Sequence, residues 1–124
     1  MLPVKIGNTD FINIKDAYYV DKTLIVKEII DSALSSILLI TRPRRFGKTL
    51  ALSMMECFFD ETKKDKSSLF DNLHIASYKE IREKHQNKYE IIHLNFKDIR
   101  GDNYQIEFNG LRSIIAEQFN KFNY

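Results

Sequence analysis

The sequence predicts an α/β fold, an incomplete parallel sheet with flanking helices. Three observations carry this expectation. Residues 37–40, Ile-Leu-Leu-Ile, form a short apolar run between turn signals, the pattern of a strand buried on both faces. Residues 89–96 read as a second strand, with Ile92, Leu94 and Phe96 alternating against His93, Asn95 and the following Lys97. Segments with helical periodicity surround both runs. The predicted order is helix, strand, helix, helix, strand, helix.

Taken in order, residues 1–20 are mixed, with Pro3, Gly7 and Asn8 as turn formers and short extended pieces expected at 11–14 and 18–20. Asp21 is placed to cap a helix over residues 22–33. There Leu24, Ile25, Ile29, Ile30 and Ala33 share one face, and Thr23, Lys27 and Asp31 recur on the other. Ser35 and Ser36 lead into the first strand, and Pro43 ends it. A mostly buried helix is expected over 48–59, with Thr49, Ser53, Glu56 and Asp60 as its polar stripe. Residues 60–68 read as a charged, solvated loop. A short element follows over 69–75, and Ser77 is placed to cap a polar helix reaching His85. Residues 97–103, with Gly101, read as a turn. A last helix carries Phe108, Leu111, Ile115, Phe119 and Phe122 at gaps of three and four, the spacing of a core face.

Composition narrows the function classes. The 124 residues suffice for one domain. With 44% hydrophobic and 29% charged residues, the chain reads as globular and not disordered. The net charge of +2, from 19 basic and 17 acidic side chains, does not by itself argue for nucleic acid. The single cysteine, Cys57, excludes an internal disulfide and a cysteine metal site, and its apolar surroundings read as core. His74, His85 and His93 lack metal-ligand spacing. No apolar signal core opens the chain and no apolar run is long enough to span a bilayer, so the expected location is cytoplasmic, without membrane contact.

Charge is concentrated in one place: Arg42, Arg44, Arg45 and Lys48 lie within seven positions, between the first strand and the helix after it. Strand, basic turn, Gly47-Lys48-Thr49, helix is the arrangement of a P-loop, or Walker A turn. A helix start offers unpaired backbone N–H groups and the positive end of the helix dipole. Phosphate collects hydrogen bonds there. Gly47 lets the backbone curl round it, Lys48 reaches the outer phosphates, and the Thr49 hydroxyl ligates magnesium. The expected nucleotide-binding residues are Arg44, Arg45, Phe46, Gly47, Lys48, Thr49 and Leu50, with Thr49 as the ligand of a phosphate-bound Mg2+. The full pattern has a glycine five residues before Gly47, where this chain has Arg42. The competing interpretation of the turn is a basic surface connection between strand and helix. Crowded cations at a helix N-terminus oppose the dipole, and an anion relieves that arrangement.

The string Ile40-Thr41-Arg42-Pro43-Arg44-Arg45-Phe46-Gly47-Lys48-Thr49-Leu50 resembles the phosphate loop of the bacterial AAA-ATPase-like proteins. Tyr18-Tyr19-Val20-Asp21-Lys22-Thr23 resembles a second hallmark of that family, and residues 85–89 and 94–98 match its style. The resemblance covers nearly the whole chain. It implies ATP as ligand, tolerance of arginine at the first loop position, and a role for the 18–23 segment near the loop. It also implies that residues 1–124 are the N-terminal portion of one ATPase domain, followed in the family by a restriction-endonuclease-like nuclease domain.

Hydrolysis requires a carboxylate that holds magnesium through water and positions the attacking water. Asp98 ends the only candidate strand and reads better as a turn residue; the resemblance implies that the carboxylate strand and the nuclease domain come after Tyr124. The catalytic residues are therefore unassigned. The expectation is nucleotide binding with little or no hydrolysis by this chain alone. Nucleic acid would be reached only through a linked nuclease domain, and exposed sheet edges would favour self-association or docking to a C-terminal part. The alternative is a non-enzymatic nucleic-acid or protein-binding module that uses the basic turn over 42–48.

Overall fold

A computed structural model describes residues 10–16, 18–32, 37, 39–41, 43, 44, 46–97 and 99–122. The expectations for Pro3, Gly7, Asn8, Ala33, Ser35, Ser36, Leu38, Arg42, Arg45 and Asp98 lie outside the described residues. Four α-helices occur among the described residues: α1 (Leu24–Asp31), α2 (Lys48–Phe59), α3 (Lys79–His85) and α4 (Tyr104–Lys121). Three 3-10 segments, Phe11–Asp16, Glu61–Phe70 and His74–Ser77, lie before and between them. The chain divides into two units, Met1–Ile91 and Ile92–Tyr124.

The predicted parallel sheet is not found. The described residues contain no strand, and their strand-like pairing is a single parallel bridge between Asp60 and Tyr89. A strand exists through a neighbour that takes its N–H and C=O groups, so an apolar run alone does not make one. In the 37–40 run Ile37 is 99% exposed and Leu39 80% exposed, the reverse of a buried strand. In the 89–96 run Tyr89 makes the bridge, while Ile92 and Phe96 stand exposed. The extended piece expected at 11–14 is also corrected, to the 3-10 segment Phe11–Asp16.

Within the first unit, α2 packs against Phe11–Asp16 and Glu61–Phe70, and α1 against His74–Ser77. The core holds Phe11, Val26, Met54, Cys57, Phe58, Leu69, Phe70 and Ile75. Its centre is aromatic: Phe11 stacks on Phe70 at 5.0 Å, and Phe58 meets Phe70 edge-on at 5.2 Å, arrangements that favour the ring quadrupoles. Val26, absent from the predicted face of α1, is fully buried, whereas Leu24 is exposed.

Polar groups fasten these pieces. Ser53 Oγ accepts the Phe11 N–H at 3.0 Å and donates to Asp10 Oδ1 at 3.2 Å, which ties the first 3-10 segment to α2. Lys63 Nζ donates to Glu56 Oε1 at 2.8 Å. Ser53, Glu56 and Asp60 of the expected polar stripe are thus attachments, with Asp60 fully buried, while Thr49 stays exposed. The residues expected as a solvated loop form a kinked 3-10 helix, capped where Asp60 Oδ1 accepts the Thr62 N–H at 2.8 Å. The carbonyls at the end of α2, which no helical N–H can reach, are taken up by the segment after α3. Asn87 N–H donates to Phe58 O at 2.7 Å, Asn87 Nδ2 to Cys57 O and Asp60 O, and Tyr89 N–H to Phe59 O. Asn87 does this at φ 54, a left-handed conformation that asparagine tolerates.

The second unit is built on α4. Asn103 caps it, its Oδ1 accepting the Ile106 N–H at 3.1 Å. Gly101 precedes the cap because an added Cβ would stand 2.7 Å from Ile106 Cγ2. The helix expected from the apolar spacing is present, but α4 has no buried residue, and Phe108, Ile115 and Phe119 are exposed where core positions were expected. No described helix is long and apolar enough to cross a membrane.

Candidate functional site

Gly47 is the residue on which the site turns. It sits at the N-cap of α2 with φ 75 and ψ 25, in the left-handed region that glycine enters without a Cβ penalty. Its carbonyl accepts the Ala51 N–H at 2.9 Å, the first turn of α2. No side chain caps this helix and its first turn holds no acidic residue. A helix start of this kind directs backbone N–H groups and the positive dipole end outward, a combination suited to an anion.

The site residues expected from sequence fall as follows. Lys48 and Thr49 are the first two residues of α2, and both are exposed. Leu50 is half-buried and packs on the core, which anchors the helix start. Arg44 lies exposed in the turn, and the Phe46 ring is exposed beside it. Arg42 and Arg45 lie outside the described residues. Lys48, Thr49, Gly47 and Phe46 are therefore brought together at one helix start.

A cleft of about 320 Å³ opens beside this turn, lined by Tyr18, Tyr19, Val20, Lys22, Phe46, Gly47, Leu50 and Ala51. The 18–23 segment thus borders the loop. Its link is Lys22, whose Nζ donates to Phe46 O at 2.9 Å. Sequence spacing gave no signal for this bond, since 24 positions separate the partners. The remaining polar residues of the segment face elsewhere. Asp21 Oδ1 accepts the Thr23 N–H at 2.8 Å and its Oγ1 at 2.7 Å, and Oδ2 accepts the His74 N–H at 2.6 Å. Fully buried Thr23 accepts the Ile75 N–H through its hydroxyl. Asp21 was expected to cap α1, but the N-cap is Thr23, with no side-chain cap hydrogen bond; Asp21 instead holds Thr23 itself, just before the helix, and the His74–Ser77 turn.

Electrostatics agree with these roles. Burial works to raise the Asp21 carboxyl, but the His74 and Thr23 N–H groups, the Thr23 hydroxyl and the His74 ring outweigh it and hold the pKa below its usual value. Burial raises the Tyr19 phenol, which stays protonated. Burial also pushes the Cys57 thiol up to about 11, so it is neutral at physiological pH and behaves as core, not as a nucleophile. No group of three or more His, Cys, Asp or Glu among the described residues could hold a metal ion.

No curated protein and no solved structure matches the chain. The sequence model of the AAA-ATPase-like family, described as a predicted AAA-ATPase, matches residues 3–124. With the match spanning nearly every residue, the chain belongs to the AAA-ATPase-like family.

Proposed function

We propose that this chain binds a nucleoside triphosphate, ATP, with Mg2+, using residues 44–50 as a phosphate loop of Walker A type. The observation that carries this reading is left-handed Gly47 opening α2, a helix with no acidic first turn, followed at once by Lys48 and Thr49. Family membership supports nucleotide use in general. The backbone at the start of α2 would take phosphate oxygens, Lys48 would pair with the outer phosphates, and Arg44 and Arg45 would add positive charge at the rim. The cleft walls of Tyr18, Tyr19 and Phe46 suit the flat, apolar face of a base.

The chemistry of the donors fits magnesium in one mode. Magnesium keeps several waters and bridges phosphate oxygens, so it needs few protein ligands. The Thr49 hydroxyl would be one such ligand, and the ion would supply positive charge against the phosphates. The proposal is for binding, with little or no turnover by these residues alone. An attacking water needs a carboxylate to orient it, and none of residues 44–50 is acidic. In a longer protein the site would serve as part of an ATPase module, with nucleic acid reached through a linked nuclease domain.

Equilibrium dialysis with ATP, with and without Mg2+, tests the reading. Lys48→Ala should abolish binding, and Thr49→Ala should remove the part that depends on Mg2+. Binding of nucleic acid that tolerates Lys48→Ala, weakens steeply with salt and is lost when Arg44 and Arg45 are both replaced would instead establish a polyanion-binding turn.

A further inference from the structure

The polar residues of the 18–23 segment divide their work. Asp21 and Thr23 bind the start of α1 and the His74–Ser77 turn, and both are held by several hydrogen bonds. Lys22, between them, points the other way and ends on the loop. Its ammonium donates to Phe46 O at 2.9 Å and lies 3.4 Å from where a Cβ on Gly47 would stand. The cation therefore sits against the one residue whose left-handed conformation starts α2. The Lys22 N–H in turn donates to the Tyr19 hydroxyl at 3.4 Å, and the Tyr19 ring packs on Phe11 in the core. The loop is tied in this way to a part of the chain that is itself fixed on both sides.

We propose that Lys22 is a positioning residue for the phosphate loop: by holding Phe46 O it fixes the Phe46–Gly47 turn in the form that presents the start of α2 to phosphate. This inference rests on the nucleotide-binding reading above. Without the bond, the Phe46–Gly47 peptide is free to rotate, and the population of loop with its N–H groups aimed at one point falls. Apparent affinity falls by the same fraction. The effect belongs to the phosphates, so it is the same for ATP and for inorganic tripolyphosphate. Because Lys22 is exposed, its replacement leaves the core intact.

The experiment compares wild type, Lys22→Met, Lys22→Arg and Lys48→Ala. It measures dissociation constants for Mg-ATP and Mg-tripolyphosphate, with amide hydrogen exchange of the ligand-free proteins. Lys22→Met should weaken both ligands by a similar factor, roughly tenfold, as one charge-assisted hydrogen bond is worth. It should also speed exchange at Gly47 and Lys48 while leaving the protected amides of the core at wild-type rates. Lys22→Arg, which keeps a charged donor, should recover most of the affinity. Faster exchange spread through the core would overturn the proposal in favour of a general structural role. So would wild-type affinity in Lys22→Met alongside lost binding in Lys48→Ala, and that result would leave the phosphate site itself standing. Absence of binding by a folded wild type would remove the phosphate site and this inference together.

Discussion

Single residues carry much of this structure, because the ends of its short helices leave backbone groups without partners inside the helix. Asn87 is the clearest case. Its Nδ2 serves Cys57 O and Asp60 O, both at the buried end of α2. Asn87→Ala should lower unfolding free energy by about 1–3 kcal/mol in urea titration, the cost of stranding buried acceptors. Asn87→Asp should be worse, since it turns an acceptor toward two carbonyls. Asp21 gives a pH prediction. Its folded pKa lies below the usual 3.8, so its contribution is complete above that value and drains away as pH falls through the folded value. The stability gap between wild type and Asp21→Asn, measured by urea titration, should be present at pH 7 and shrink as pH falls below 3.8 and the folded carboxyl takes up its proton; a gap that stays constant through the acid range would contradict the role given to this carboxylate. At this scale the sequence was informative where chemistry is local. Gly47, Lys48 and Thr49 occupy the helix start that their order implies, and Cys57 is core. Lys22 was not legible as a contact of the loop, because a bond across 24 positions leaves no trace in spacing.

Among elements, helices were readable and strands were not, for a physical reason. A helix satisfies its own backbone, so periodicity within the segment is close to sufficient evidence. The expected helices correspond to α1, α2, α3 and α4, with ends shifted by a few residues. A strand is satisfied by another segment, and an apolar run such as 37–40 says nothing about whether that partner exists. Neither run pairs in a ladder among the described residues. The 3-10 segments escaped notice because they have no strong periodicity and are held by side chains, such as Asp60 at Thr62 and Ser53 at Phe11. The second unit offers a test at this scale. Asn103→Ala should cost α4 about 1 kcal/mol through loss of its cap, seen as reduced helicity on warming. Gly101→Ala should also reduce helicity, because its Cβ meets Ile106. Unchanged melting of the helical signal in both variants would contradict this account of how α4 starts.

For the whole molecule, the two units differ in kind. The first has an aromatic core and a dense set of polar attachments, while α4 of the second has no buried residue. Exposed apolar side chains are numerous: Ile37, Leu39, Ile92, Phe96, Ile106 and Phe119 among them. We expect self-association that grows with concentration, measurable by sedimentation, because apolar surface on this scale is covered when a partner is present. A monomer at all concentrations would contradict that expectation. The central claim concerns the start of α2, and thermal melting with and without Mg-ATP, in wild type and in Lys48→Ala, tests it most directly. Ligand at a hundredfold its dissociation constant stabilises by about 2.7 kcal/mol. The account predicts a rise in Tm of wild type with Mg-ATP and none in Lys48→Ala. An unchanged Tm in well-folded wild type, or an equal rise in both proteins, would contradict it.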